Sequence, residues 1–205
     1  FVDCFVPMPP KLVLEETGDA GWKEMPVEEA ITLVGHSKLQ IVDVRGAEEY
    51  ASGYIKGSKH VPYEDLMEGP DADNNASELL GSLKAAGSEQ VLIVCMYSQG
   101  RGPTIAQRLT TLAEETGIHL EVSILDGGFH GFVNKAQGGG AEAKAASDLL
   151  VGFKPEHWCM TPKRGLVQVN AVLAVKELGV PEEAAEQRQP DESQAPQTSW
   201  GFWSC

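Results

Sequence analysis

The segment VLIVCMYSQGRGP (residues 91–103) places Cys95 directly after a short apolar run and Arg101 six positions further on, followed by Gly102 and Pro103. A loop that runs from a strand end into a helix start turns successive backbone N–H groups inward, and the helix dipole adds partial positive charge there. Such a loop is a cradle for a tetrahedral oxyanion. Arg101 can fork two N–H bonds onto two oxygens of the anion, and the loop from Met96 through Tyr97, Ser98, Gln99 and Gly100 to Arg101 is the expected substrate-binding segment. The same field lowers the pKa of a thiol at the start of the loop, which makes Cys95 a candidate thiolate nucleophile. Gly100 and Gly102 are expected to supply the backbone angles that the loop demands. Ser98 can donate to the anion, assist the leaving thiolate or support the loop, and Tyr97 reads as a rim residue. A buried, inert Cys95 beside a surface Arg101 would explain the spacing alone. It does not explain an apolar strand before the loop and a Gly-Pro helix start after it.

These residues need a strand behind them and a helix in front. The run VLIV (91–94) reads as a central parallel strand covered on both faces. After Pro103 a helix is expected, with Ile105, Leu109 and Leu112 on one face, Arg108, Glu114 and Glu115 off it, and Gly117 at its end. LQIVDV (39–44) and EVSIL (121–125) read as further strands. Pro26 with Glu28 and Glu29 starts a helix, residues 76–86 form another that stops at Gly87, and DGGF (126–129) turns into a short last one. Strands alternating with helices imply an α/β fold, a central parallel sheet with helices on both faces.

Residues 22–136 carry this pattern, after an N-terminal extension over 1–21. Beyond Gln137 the character changes. GGGAEAKAAS is small-residue and low in complexity, a linker or a loosely held helix, and GLVQVNAVLAVKELG (165–179) reads as an amphipathic C-terminal helix. Residues 137–180 are thus expected to be linker and helix. Residues 181–205 are rich in Glu, Gln, Pro and Ser and are expected to form a disordered acidic tail.

The whole chain has 205 residues, 42% of them hydrophobic and 22% charged, an ordinary globular composition. Its 16 Lys and Arg against 30 Asp and Glu give a net charge of −14. That field repels nucleic acid and anionic membrane surfaces, so neither is an expected partner. The tail after Val180 supplies four of those charges, five acids against Arg188. Four cysteines (Cys4, Cys95, Cys159 and Cys205) are too scattered for a disulfide framework, and no apolar run reaches membrane-helix length. The chain opens at Phe1 on FVDCFVPMPP, a poor signal-peptide core, and a reducing cytoplasmic or nuclear location is expected.

IVDVRGAEEYASGYIKGSKHVP (41–62) resembles the rhodanese signature, in which an Asp-x-Arg strand end precedes an acidic-aromatic pair and a Gly-x-Ile-x-Gly-Ser turn. DGGFHGF resembles the Gly-Gly-Phe-x-Gly-Trp stretch that closes that fold. CMYSQGRGP is similar to the catalytic loop of the cell-division-cycle dual-specificity phosphatases and of the related arsenate reductases of yeast and plants. The resemblance spans residues 22–136 in the right order. It implies a rhodanese-like fold and a cysteine-dependent phosphatase or arsenate reductase, with Cys95 and Arg101 catalytic. Sulfurtransferases of the family have a loop one residue shorter than the five residues between Cys95 and Arg101 here.

The resemblance implies no bound cofactor, a small oxyanion or a phosphorylated protein as substrate, and glutathione or glutaredoxin as external reductant if arsenate is reduced. Two departures bear on mechanism. Val94 stands where the family has His before the cysteine, and Gly100 where the cell-cycle phosphatases have Glu before the arginine, so no proton donor is evident. A sulfurtransferase, or a non-catalytic phosphate- or sulfate-binding module, remains as an alternative.

Asp43 and Arg45 read as a structural pair that ties a strand end to the turn before Gly57, and His60 as a surface or packing residue. His157 and Cys159 make an H-x-C pair with too few companions for a zinc site, so no metal is expected. Cys159 is also a candidate resolving thiol for an oxidised Cys95.

Overall fold

Five parallel strands carry the fold, each a short run whose side chains are needed on two faces at once. The computed structural model describes residues 21–161 and 163–168. In chain order the elements are β1 (Trp22–Met25), α1 (Val27–Leu33), β2 (Leu39–Asp43), α2 (Ala47–Ala51), β3 (Tyr54–Ile55), β4 (Lys59–His60), α3 (Tyr63–Met67), α4 (Ala72–Ala85), β5 (Gln90–Val94), α5 (Arg101–Glu115), β6 (Glu121–Leu125), α6 (Gly128–Ala136), α7 (Ala141–Leu149) and β7 (Leu150–Val151). The main sheet runs β1-β6-β5-β2-β4, and every neighbouring pair in it is parallel. β3 and β7 form a separate antiparallel pair.

Val91, Leu92, Ile93 and Val94 are all fully buried, as a central parallel strand requires. Each such side chain contributes about 1.5–3 kcal/mol when taken out of water. Val91, Ile93 and Cys95 join Leu66, Leu79, Leu83, Ile105 and Leu109 in one core, and α3, α4 and α5 pack together there. On the chain's other group of helices, α6 meets α1 and α7, burying Ala30, Phe129, Phe132 and Val133. The expected α/β architecture, a central parallel sheet covered by helices, is the one observed.

Register decides what the sheet presents. Asp43 on β2 lies level with Val94 on β5, and Ile93 with Ile124 on β6. Three consecutive strands therefore end on one line, and the residues just after them (Arg45, Cys95 and the glycines after Asp126) share one edge. In open α/β sheets ligands bind at this carboxyl edge.

Of the two readings of the low-complexity run, linker or helix, the structure takes the helix: residues 141–149 form α7, with Ala143 and Ala146 buried against α6 and α1, since alanines at these positions let helix backbones approach closely. Two other expectations are corrected. Gly165–Gln168, the start of the expected C-terminal helix, is a strand, β9, paired antiparallel with β8 (Trp158–Thr161); Leu166, Val167 and Met160 suit a β ladder as well as a helix face, and partner pairing decides between them. The remainder of that expected helix and the acidic tail lie outside the described residues. The second correction concerns the loop glycines, below. Sequence periodicity also missed β1, because its two central residues, Lys23 and Glu24, are exposed, and missed the short α2 and α3. The hairpin of β8 and β9 belongs to a second unit that starts at Lys154, whereas the parallel sheet belongs to the unit ending at Phe153.

Candidate active site

β5 delivers Cys95 to the carboxyl edge of the sheet, and α5 starts at Arg101, so the loop between them has the strand-to-helix form its sequence suggested. Cys95 is 3% exposed and carries a free thiol. The Ser98 backbone N–H donates to Cys95 Sγ at 3.2 Å, a bond that strengthens when the sulfur is a thiolate. Among the described residues the backbone N–H groups of Gln99, Gly100 and Arg101 make no hydrogen bond to protein. They are the orphan donors that a helix N-terminus offers to an anion.

Neither Gly100 nor Gly102 has a positive φ; the left-handed residue of the loop is Ser98, at φ 55°. A non-glycine residue there is strained, and its hydroxyl compensates by donating to the Leu125 carbonyl at the end of β6. That turn is what aims the Ser98 amide at the sulfur. Gly102 is required for space instead, since a Cβ on it would lie 3.1 Å from Cys95 Sγ. Met96 is buried, and Tyr97 leans on the His130 ring with centroids 5.1 Å apart. Gly100 is the N-cap of α5, and its carbonyl accepts from Thr104 N–H at 3.1 Å.

A second glycine stretch holds the loop from behind. Phe129 N–H donates to the Cys95 carbonyl at 2.8 Å and His130 N–H to the Met96 carbonyl at 3.0 Å. Gly128 makes this approach possible: a Cβ on it would lie 2.5 Å from the Cys95 carbonyl oxygen and 2.6 Å from that of Met96. The DGGFHGF stretch thus supports the Cys95 loop directly.

Arg101 does not stand alone. Its Nη1 donates to Glu49 Oε2 at 2.6 Å and its Nη2 to Glu49 Oε1 at 2.9 Å. Burial pushes the Glu49 carboxyl up, but the hydrogen bonds and charge of Arg101 outweigh it and hold the pKa below the ordinary carboxylate value. Arg101 is correspondingly raised, first by the Glu49 hydrogen bond and then by its charge, with smaller contributions from Cys95 and Glu64. Glu49 was not singled out from the sequence. Its signal was present as the acidic member of the acidic-aromatic pair, three residues after Gly46, the N3 position of a helix cap; Gly46 N–H donates to Glu49 Oε2 at 2.9 Å.

Asp43 and Arg45 are both fully buried and joined by a fork, with Arg45 Nη2 on Asp43 Oδ2 at 2.7 Å and Nε on Oδ1 at 2.9 Å. Arg45 also donates to the carbonyls of Gly53 at 2.8 Å and Glu49 at 3.2 Å, and its guanidinium lies 3.7 Å from the centroid of the Phe129 ring. The buried cation thereby satisfies its donors and braces α2 and α6 together. His60 stacks on Tyr50 at 4.2 Å, and its Nε2 is 2.7 Å from the Arg45 carbonyl.

His157 and Cys159 lie in the second unit, and among the described residues no group of three His, Cys, Asp or Glu is placed to hold a metal ion. Cys159 is disulfide-bonded, so it is not the free thiol that a resolving role for Cys95 requires. No helix among the described residues is long and apolar enough to cross a membrane.

Known proteins resemble the chain in sequence and in fold. Residues 26–135 match the model of the rhodanese-like domain. The chain is 31% identical over 106 residues to the CDC25-like phosphatase YCH1 of Saccharomyces cerevisiae, covering 50% of this chain and 71% of that protein. It is 34% identical over 98 residues to the dual specificity phosphatase Cdc25 of Arabidopsis thaliana, covering 46% of this chain and 61% of that one. Among solved structures, the As-Sb reductase from Leishmania major superposes with a TM-score of 0.52 at 19% identity, covering 81% of this chain and 99% of that one. At that identity the likeness is one of fold. With the matched model spanning more than half of the sequence, and the buried Asp43–Arg45 strut and the Cys95 loop at the sheet edge in the order described, the chain belongs to the rhodanese-like domain family.

Proposed function

We propose that the chain is a cysteine-dependent enzyme acting on tetrahedral oxyanions, a phosphatase or an arsenate reductase, with Cys95 as nucleophile and Arg101 as the oxyanion-binding cation. One observation carries the reading: the Ser98 amide donates to Cys95 Sγ while the next three amides, at the start of α5, have no protein partner among the described residues. Such donors stabilise charge that builds on an oxyanion in the transition state. In a phosphatase cycle the thiolate attacks phosphorus, the ester P–O bond breaks, and water then hydrolyses the thiophosphate and releases Cys95. In arsenate reduction the thiolate attacks arsenic(V) and displaces water. A thiol of the glutathione class then attacks the Cys95 sulfur, and the S–As electron pair leaves with arsenite. A second thiol, or glutaredoxin, reduces the resulting disulfide.

The site favours reactions that need no strong acid. Gly100 has no proton to give, and Glu49 is kept ionised by Arg101. Esters with good leaving groups, and arsenate, meet that condition. The curated relatives matched are named as phosphatases, which supports the first branch. The test is turnover of p-nitrophenyl phosphate, of arsenate with glutathione, and of thiosulfate with cyanide, each against Cys95→Ser. Loss of one of the first two activities in Cys95→Ser is expected. Equal turnover by parent and variant in all three, or a persulfide on Cys95 without aryl phosphate turnover, overturns the reading.

A further inference from the structure

The Arg101 guanidinium would be expected to reach for the anion, yet both of its terminal nitrogens donate to one carboxylate, Glu49. A guanidinium carries five N–H donors in a plane. An end-on fork uses one hydrogen on each terminal nitrogen and leaves the side-on fork, Nε–H with the outer hydrogen of Nη2, pointing along the other edge of the plane. Glu49 is itself fixed. It sits in α2, its Oε2 also accepts from Gly46 N–H at 2.9 Å, and its own carbonyl accepts from the buried Arg45 at 3.2 Å. The Glu49 side chain is 20% exposed and that of Arg101 30%, so the pair is partly withdrawn from water, where a fixed geometry is worth more than at an open surface.

Resting on the oxyanion-site reading above, we propose that Glu49 is a positioning residue: it grips Arg101 end-on from α2 and so presents the side-on fork of the guanidinium to an oxyanion held by the Cys95 loop. The proposal has an unusual sign. Glu49 adds a negative charge beside an anion site, and Glu64 adds another within reach of Arg101. If charge alone mattered, removing Glu49 would strengthen anion binding. Orientation predicts the opposite, because an unheld arginine must give up rotamer freedom on each binding event.

The experiment measures the affinity of inorganic phosphate by titration calorimetry, using the full chain in a Cys95→Ser background, where no covalent step intervenes. Glu49→Gln is expected to weaken binding about tenfold, the loss of roughly one held, rotamer-rich side chain. In an Arg101→Lys background the same substitution is expected to change affinity less than about twofold, because the fork it holds is gone. Any weakening that came only from loosening of α2 would persist in that background. Tighter or unchanged binding in Glu49→Gln, or equal weakening in both backgrounds, overturns the positioning role and leaves the oxyanion site standing. Failure of the Cys95→Ser parent to bind phosphate at all overturns both.

Discussion

Replacing Gly128 with alanine tests whether the stretch behind the loop is held by close backbone approach. The new Cβ would meet three backbone atoms, the Cys95 carbonyl oxygen at 2.5 Å, the Met96 carbonyl oxygen at 2.6 Å and the Met96 carbonyl carbon at 2.7 Å. None can swing aside as a side chain would, because both carbonyls are pinned by Phe129 and His130 N–H at 2.8 and 3.0 Å. Gly128 has φ 62°, and a left-handed conformation costs an alanine about 1–2 kcal/mol. Forcing the backbones apart adds about 1–3 kcal/mol. The expected loss is therefore about 2–5 kcal/mol. Gly87 separates the two contributions. Its φ is 71°, but a Cβ there would meet nothing within 4 Å, so Gly87→Ala should lose only the conformational part. Urea denaturation of both variants beside the parent reads the difference directly. Turnover at a temperature where both are folded should fall at least about tenfold in Gly128→Ala alone, since a displacement of the order of 1 Å at a reacting group costs that much or more. Equal destabilisation of the two variants would refute the close-approach argument.

Other consequences are equally direct. Arg45→Ala leaves the Asp43 carboxylate fully buried without its fork, and a loss of about 3–5 kcal/mol is expected; a denaturation midpoint within error of the parent would contradict the strut. Gly102→Ala places a methyl 3.1 Å from the Cys95 sulfur, so reaction of the thiol with an alkylating reagent should slow markedly while the midpoint moves little, and unchanged alkylation would count against that geometry. Glu49 has a folded-state pKa below its unfolded value. Its pairing with Arg101 therefore adds stability that is fully present above the unfolded carboxylate value of about 4.3 and is lost as pH falls through the lower folded value. Parent and Glu49→Gln should differ in stability near neutral pH and converge in acid, and a constant difference across that window would refute the assignment. The acidic chain should turn over small anions better than long acidic phosphopeptides, a gap that narrows as salt is raised from about 0.05 to 0.5 M; a gap indifferent to salt would assign the preference to shape.

Much of this protein is legible in its residues taken in order. A fully apolar VLIV run can be satisfied only in the middle of a covered sheet, and the Cys95–Arg101 spacing followed by Gly-Pro marks a loop opening onto a helix N-terminus. These are local facts of burial and backbone geometry, and the chain states them locally. One local inference failed where two structures suit the same residues: GLVQ pairs as β9 although its pattern also fits a helix. In the loop, the left-handed residue is Ser98 and not a glycine, because a hydroxyl bond to Leu125 across the sheet offsets the strain.

The tertiary structure alone decided the partnerships. Glu49 and Arg101 are 52 positions apart, and nothing in either segment says that one grips the other. Gly128 reads as a turn glycine until the carbonyls of Cys95 and Met96 are brought beneath it. Both pairings follow from strand register, which levels β2, β5 and β6 at one edge. Register is set by side chains packing on both faces of the whole sheet, a sum over distant residues that no single segment contains.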